Sequence, residues 1–272
     1  MDHEHRIGQT AATILELLDI TPGRDMEGPH EKVLDMAKRE LTGNGSRRVF
    51  FYNPDAIGIW LYRKYQGRFA ELENRVQLRM KIHTAYPPVT PVCFGTMYTG
   101  LSPQKHGIVK YRKPVLQVDT VFDYLVKEKK KAAIISTEGD SISRIFLGRD
   151  MDYFIYPTVE ECNEKALDLI EKDKYDLMVL YNGNYDYMMH RFGPEGNRAL
   201  EALDKNIEMF LKIYDRIKEY WKKHPAILAF APDHGCHRKF MFMGSHGAEI
   251  PADMETIHFY SFINSTDQCM EL

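Results

Sequence analysis

Hydrophobic positions along the chain fall into two kinds of spacing. Ile7, Ala11, Ile14, Leu15 and Leu18 recur every three or four residues, the period of a helix with one buried face, and Pro22-Gly23 ends the run. Glu31 to Leu41 repeats that pattern and leads into a turn cluster, Thr42-Gly43-Asn44-Gly45-Ser46. Val49-Phe50-Phe51-Tyr52 is different, a continuous apolar run that reads as a buried strand. Similar runs return at Ala132 to Ile135, Leu177 to Tyr181, Ala226 to Ala231 and Ile257 to Phe262. Helical patterns at Val121 to Lys130, Val159 to Glu171 and Glu195 to Lys223 separate most of them. Thr158 and Glu161 stand at capping-box spacing ahead of the second of these helices. Strands too apolar to alternate, separated by helices, predict an α/β fold with a mainly parallel central sheet and helices on both faces.

No repeat, low-complexity tract or linker divides the chain, so residues 1–272 read as one domain. A 44% apolar share supports a sizeable core and excludes general disorder. A formal charge of -3 excludes a broad basic surface for nucleic acid or a polybasic membrane contact. The longest uninterrupted apolar run is Ala226 to Ala231, far short of the ~20 residues of a membrane span, and Met1 to Arg6 leads into no secretory h-region. Cys93, Cys162, Cys236 and Cys269 form no CxxC pair, which fits reduced thiols. The simplest expectation is a soluble cytoplasmic protein.

The residues just past the strand runs change the picture. Tyr52 is followed by Asn53-Pro54-Asp55, Tyr181 by Asn182-Gly183-Asn184-Tyr185-Asp186, and Ala231 by Pro232-Asp233-His234-Gly235. The carboxyl ends of parallel strands line the ligand crevice, so three acidic residues would converge there. Convergent carboxylates repel unless a cation lies among them. His190 stands four residues after Asp186, on the same face if a helix begins there, and His234 adjoins Asp233. His246, in Gly244-Ser245-His246-Gly247, offers a further imidazole. Taken singly, a D-x-x-x-H pair is an ordinary surface pair and Asp-His-Gly an ordinary strand-ending turn. Their joint occurrence after successive strands points to a metal site.

Thr90 before Pro91 reads as a helix start, with Thr90 as N-cap and Pro91 at the first helical position. A hydroxyl there lies at the positive end of the helix dipole, which favours an alkoxide and a bound phosphoryl group. Taken alone, Thr90 would be only a cap; the metal ligands elsewhere make it a candidate nucleophile.

These segments together resemble the alkaline phosphatase superfamily, most closely its nucleotide pyrophosphatase/phosphodiesterase branch. The resemblance lies in Asp55, the Thr90 helix start with Thr99-Gly100-Leu101-Ser102-Pro103-Gln104-Lys105-His106-Gly107-Ile108, the Asp186 to Pro194 segment, Asp233-His234-Gly235 and Ser245-His246-Gly247. It implies one metal held by Asp55, Asp233, His234 and the Thr90 oxygen, and a second held by Asp186, His190 and His246. Such ligands suit Zn2+, with Mn2+ or Fe as alternatives. Two metals roughly 4 Å apart clamp the attacking and leaving oxygens of an in-line displacement. The implied activity is hydrolysis of phosphodiester or pyrophosphate bonds in small phosphorylated substrates, nucleotides among them, through a covalent phosphothreonine at Thr90. Related enzymes carry inserted cap domains, for which this length leaves little room.

Three departures qualify the match. The branch carries Asn three residues after the nucleophile, against a phosphoryl oxygen, where this chain has Cys93. Sulfatases resemble the same segment in a C/S-x-P-x-R context, and Thr90-Pro91-Val92-Cys93-Phe94 lacks that Arg. Thr10 to Ile20 resembles a helix that members carry near the C-terminal end, which implies a rearranged segment order. A phosphomonoesterase, phosphonate hydrolase or phosphomutase of the same superfamily, or a non-catalytic protein that binds metal and a phosphorylated ligand, are the alternatives. His106 reads as structural, and Tyr86, Phe94 and Tyr98 as core.

Overall fold

The computed structural model describes residues 5–42, 46–239 and 243–266. Cys269, residues 43–45 of the turn cluster and residues 1–4 of the N-terminal segment lie outside the described residues. The strands are β1 (Arg48–Pro54), β2 (Leu78–His83), β3 (Ala132–Thr137), β4 (Asp152–Tyr156), β5 (Leu177–Asn182), β6 (Ala226–Phe230), β7 (His237–Arg238), β8 (Gly244–Ser245) and β9 (Glu255–Ile263). Before the Thr90 segment lie the helices α1 (Gln9–Leu17), α2 (Glu31–Glu40), α3 (Ile59–Lys64) and α4 (Ala70–Glu73). They are followed by α5 (Thr90–Thr99), α6 (Pro103–His106), α7 (Val121–Lys127) and α8 (Ile142–Ile145). The remainder are α9 (Val159–Lys172), α10 (Asn184–Phe192), α11 (Asn197–Tyr220) and α12 (Pro251–Met254).

Seven strands form one sheet in the order β2-β9-β6-β1-β5-β3-β4, and β7 pairs with β8 in a separate ribbon. All pairings are parallel from β6 through β1, β5 and β3 to β4, while β9 runs antiparallel to both β6 and β2. The expected mainly parallel sheet is therefore observed, with β9 as its one reversed strand. Successive residues of a strand point to opposite faces. Val49 and Phe51 enter one core beneath α1, α2, α5 and α7, and Phe50 and Tyr52 enter a second core beneath α9 and α11. Both faces are covered, which is why the central strands carry no polar alternation.

Two strands escaped the apolar-run criterion because they lie at the sheet edges. In β2 Met80 and Ile82 are buried while Arg79 and Lys81 face solvent, and every residue of β4 is half-buried. The expected capping box of α9 is present, with Thr158 accepting the Glu161 N–H at 3.2 Å and Glu161 accepting the Thr158 N–H at 3.1 Å. α7 ends at Lys127 rather than Lys130, because Lys129 turns to a φ of 56°. α1 packs against α2, α5 and α7, which puts the Thr10 to Ile20 segment beside the Thr90 helix. Among the described residues no helix is long and apolar enough to cross a membrane. The described cysteines, Cys93, Cys162 and Cys236, are buried and free.

Candidate active site

Three adjacent strands of the sheet deliver the site. β6, β1 and β5 end side by side, and backbone bonds hold their exits in register: Ala231 N–H donates to Tyr52 O at 2.8 Å and Asp55 N–H to Asn182 O at 3.0 Å. After Asp55 the chain turns through Ala56 at a φ of 64°, a left-handed conformation that a residue with a Cβ adopts at some strain. The turn aims the Ala56 N–H at Asp233 Oδ1, 3.3 Å away. β5 passes directly into α10, whose first turn carries Asp186 and whose last turn carries His190. His246 follows β8.

Six of the seven residues singled out from the sequence are thereby brought together as two neighbouring clusters. In one, the ligand atoms of Asp55, Asp233 and His234 lie within 4.8 Å of one another, and in the other those of Asp186, His190 and His246 do. His234 Nε2 is 3.4 Å from Asp55 Oδ1 and 3.4 Å from Asp233 Oδ2. Asp186 Oδ1 is 3.3 Å from His190 Nε2 and 3.4 Å from His246 Nε2. The rings of His234 and His246 are 4.2 Å apart at their centroids, so the clusters share a wall.

Each imidazole is turned the same way. His234 Nδ1 faces the Gly235 carbonyl at 2.9 Å, His190 Nδ1 that of Gly244 at 3.1 Å and His246 Nδ1 that of Pro88 at 3.2 Å. A carbonyl accepts only N–H, so these contacts hold the proton on Nδ1 and aim Nε2 at the carboxylates. Asp55 Oδ1, Asp233 Oδ2 and Asp186 Oδ1 are buried without a hydrogen-bond partner, and they are the oxygens that Nε2 faces. Lone pairs opposing lone pairs at that distance repel, and a shared proton or a metal ion between them relieves the repulsion. The donor set therefore fits divalent metal.

Electrostatics agree. Burial first, and then the Asp55 carboxylate, push the Asp233 carboxyl well above the carboxylate range. Burial, reinforced by the His234 ring, drops His246 to about 3, which keeps that imidazole neutral and able to ligate. The neighbouring Asp186 carboxylate moves His190 up.

Thr90 Oγ1 lies 3.4 Å from Asp55 Oδ2 and 3.4 Å from His234 Nε2, inside the first cluster. Thr90 is the first residue of α5 rather than its cap; Val89, extended at φ -134°, takes that place and no side chain caps the helix. The threonine hydroxyl is thus turned toward the acidic cluster instead of closing the helix end. Cys93, three residues on, is close enough to Asp233 and Asp55 that both carboxylates act on its thiol. It is buried in the core beneath the sheet, with Sγ 3.1 Å from Thr84 Oγ1, and burial chiefly raises its thiol far above the ordinary value.

Two side chains at the site carried no motif. Tyr181, the penultimate residue of β5, donates its hydroxyl to Asp55 Oδ2 and fixes that carboxylate. Asp140 follows β3 as Asp55 follows β1, and burial, with the Asp55 and Asp186 charges, raises it. The signal for Asp140 was present, a carboxylate just past an apolar run. His106 is buried, with Nε2 3.0 Å from Thr96 Oγ1 and Nδ1 accepting the Ile108 N–H at 3.2 Å, which fixes the α5 to α6 turn. Phe94 and Tyr98 are core residues, whereas Tyr86 is exposed.

Gly235 separates the His234 loop from α12, and a Cβ built on it would lie 2.0 Å from the Ala252 carbonyl oxygen. Backbone cannot yield as a flexible side chain does, so Gly235→Ala is expected to lower stability by about 3 kcal/mol. Urea unfolding measures it, and a loss under about 0.5 kcal/mol would show that the loops part freely.

A family model described as type I phosphodiesterase / nucleotide pyrophosphatase matches residues 54–137, a span that includes Asp55 and Thr90. Murine ectonucleotide pyrophosphatase/phosphodiesterase 5, solved as an inactive threonine-to-alanine form with AMP, aligns at a TM-score of 0.56 and 16% identity over 71% of this chain and 58% of that chain. The human form of that protein gives 0.55 and 16%, over 71% and 58%. Phosphonoacetate hydrolase from Sinorhizobium meliloti 1021, with phosphonoformate, gives 0.53 and 15%, over 72% of this chain and 59% of that one. These likenesses bear out the expected resemblance to the alkaline phosphatase superfamily and its fold. The chain spans 58–59% of the length of these solved structures. No curated protein sequence matches it.

Proposed function

We propose that the chain is a two-metal-dependent hydrolase of phosphodiester or pyrophosphate bonds in small phosphorylated compounds, with Thr90 as nucleophile. The observation that carries this reading is the position of the Thr90 hydroxyl, 3.4 Å from both a carboxylate and an imidazole of one cluster and beside a second cluster that shares a wall with it. Asp55, Asp233 and His234 would hold one ion and Asp186, His190 and His246 the other, with Zn2+ best suited to the mixed nitrogen and oxygen donors. Such ions acidify a coordinated hydroxyl and neutralise charge on the attacking and leaving oxygens. Thr90 Oγ then forms a bond to phosphorus as the bond to the leaving oxygen breaks, and water subsequently cleaves the phosphothreonine. Tyr181 keeps Asp55 in place, and the three carbonyl-bound imidazoles keep their Nε2 atoms aimed inward.

The related structures support this reading, since one was captured with AMP after a threonine was replaced and is described as inactive. The connection from His190 to Asp233 is made by α11 and β6 alone, which supports a crevice without a large inserted cap. Buried free thiols are in keeping with a reducing compartment such as the cytoplasm. The likeness to a phosphonoacetate hydrolase favours phosphonate cleavage as the second reading.

The test compares bis-p-nitrophenyl phosphate, thymidine p-nitrophenyl phosphate, p-nitrophenyl phosphate and phosphonoacetate with the Zn2+- or Mn2+-loaded protein. Diesters are expected to turn over with kcat/KM about 10-fold or more above the monoester. Preferred phosphonoacetate cleavage would move the assignment to the second reading. No turnover of any compound by protein carrying two metals would leave a binding protein.

A further inference from the structure

The segment between β6 and β9 carries His234 near its start and His246 near its middle, and one buried carboxylate outside both clusters ties it together. Asp253, in α12, is fully buried. Its Oδ1 and Oδ2 lie 2.8 and 3.0 Å from His237 Nδ1, and Oδ2 also accepts the Ala248 N–H at 2.9 Å. Its backbone carbonyl accepts the Gly235 N–H at 2.8 Å. The three partners belong to three successive pieces of the segment: the turn after His234, β7, and the turn after His246. β7 in turn pairs with β8, with His237 opposite Ser245 and Arg238 opposite Gly244.

None of these groups is a candidate ligand, yet the backbone they hold carries two carbonyls that orient ligands. The Gly235 carbonyl faces His234 Nδ1 and the Gly244 carbonyl faces His190 Nδ1. A buried carboxylate is tolerated only when donors meet its oxygens, and here the donors are the Ala248 N–H and the His237 imidazole. The carboxylate and the loop therefore fix each other.

We propose that Asp253 and His237 are positioning residues of the metal centre: they set the loop that presents the Gly235 and Gly244 carbonyls and holds His246 against His234. The pair acts through backbone, without touching substrate, and its role rests on the two-metal reading above. Orienting groups behind metal ligands are commonly worth 10-fold or more in metal affinity.

The test measures zinc stoichiometry and affinity by chelator competition, with kcat and KM, for the wild type, Asp253→Asn, His237→Ala and His237→Asn. Asn at 237 keeps an N–H near the place of Nδ1–H but lacks Nε2. Asp253→Asn and His237→Ala are expected to bind zinc about 10-fold more weakly, with kcat reduced at limiting zinc, restored by excess zinc, and KM changed less than about 2-fold. His237→Asn is expected to retain wild-type affinity. Unchanged zinc affinity in both damaging variants overturns the proposal, as does equal loss in His237→Ala and His237→Asn, which would assign the effect to Nε2. A wild type that binds no zinc overturns both this proposal and the two-metal reading, and so is told apart from failure of the pair alone. If Asp253→Asn fails to fold, the two variants at partly exposed His237 decide the matter.

Discussion

Thr90→Ala is expected to reduce turnover of the best ester at least about 10^4-fold while both metals stay bound. The magnitude follows from removing the atom that forms the new bond to phosphorus, leaving only binding and electrostatic assistance to an outside water. Metal retention follows from geometry: Asp55, Asp233 and His234 still provide three ligand atoms within 4.8 Å of one another, and the second cluster does not involve Thr90. Folding should survive too, because the hydroxyl makes only two contacts at 3.4 Å and does not cap α5. Thr90→Ser keeps the oxygen and should keep measurable turnover. Mass spectrometry of acid-quenched wild type should find phosphate on Thr90. Thr90→Ala activity within 10-fold of wild type would place the nucleophile elsewhere.

The parts of this site that were legible in the sequence are those where chemistry and strand position coincide. Asp55, Asp186 and Asp233 each follow an apolar run, and burial on both faces makes such runs visible. The edge strands β2 and β4 lack that signal, since one or both faces meet solvent. Register decided what could not be read. Cys93 and Thr90 lie three residues apart at the start of one helix, yet Thr90 reaches the acidic cluster and Cys93 sits in the core against Thr84. Tyr181 was visible only as the end of an apolar run, because nothing local shows that its hydroxyl meets Asp55 across the β1–β5 pairing. Asp253 is further removed still: its partners at 235, 237 and 248 are joined to it by a loop path that no periodicity encodes.

Stripping the metals is expected to destabilise the protein by an amount that grows with pH. Ligand-linked stability follows RT ln(1 + [L]/Kd), about 2.7 kcal/mol for each site at a free metal concentration 100-fold above Kd. The pH dependence comes from the groups whose protons metal displaces. Asp233 and His190 both have pKa values raised by the fold. A raised folded pKa contributes stability below the unfolded value and loses it as pH climbs through the folded one. His246, lowered to about 3, acts oppositely, but only below its unfolded value near 6.5. Above about pH 6.5, where His246 no longer contributes a slope, the two raised groups govern, and metal-free protein should lose stability as pH rises. Zinc binding strengthens in the same direction, because metal displaces the protons that these raised groups retain. Thermal melts in zinc and in excess chelator at pH 6.5, 7.5 and 8.5 should show a gap in Tm that widens with pH. A gap that stays constant or narrows would mean that these carboxylates and imidazoles are not what the metals hold.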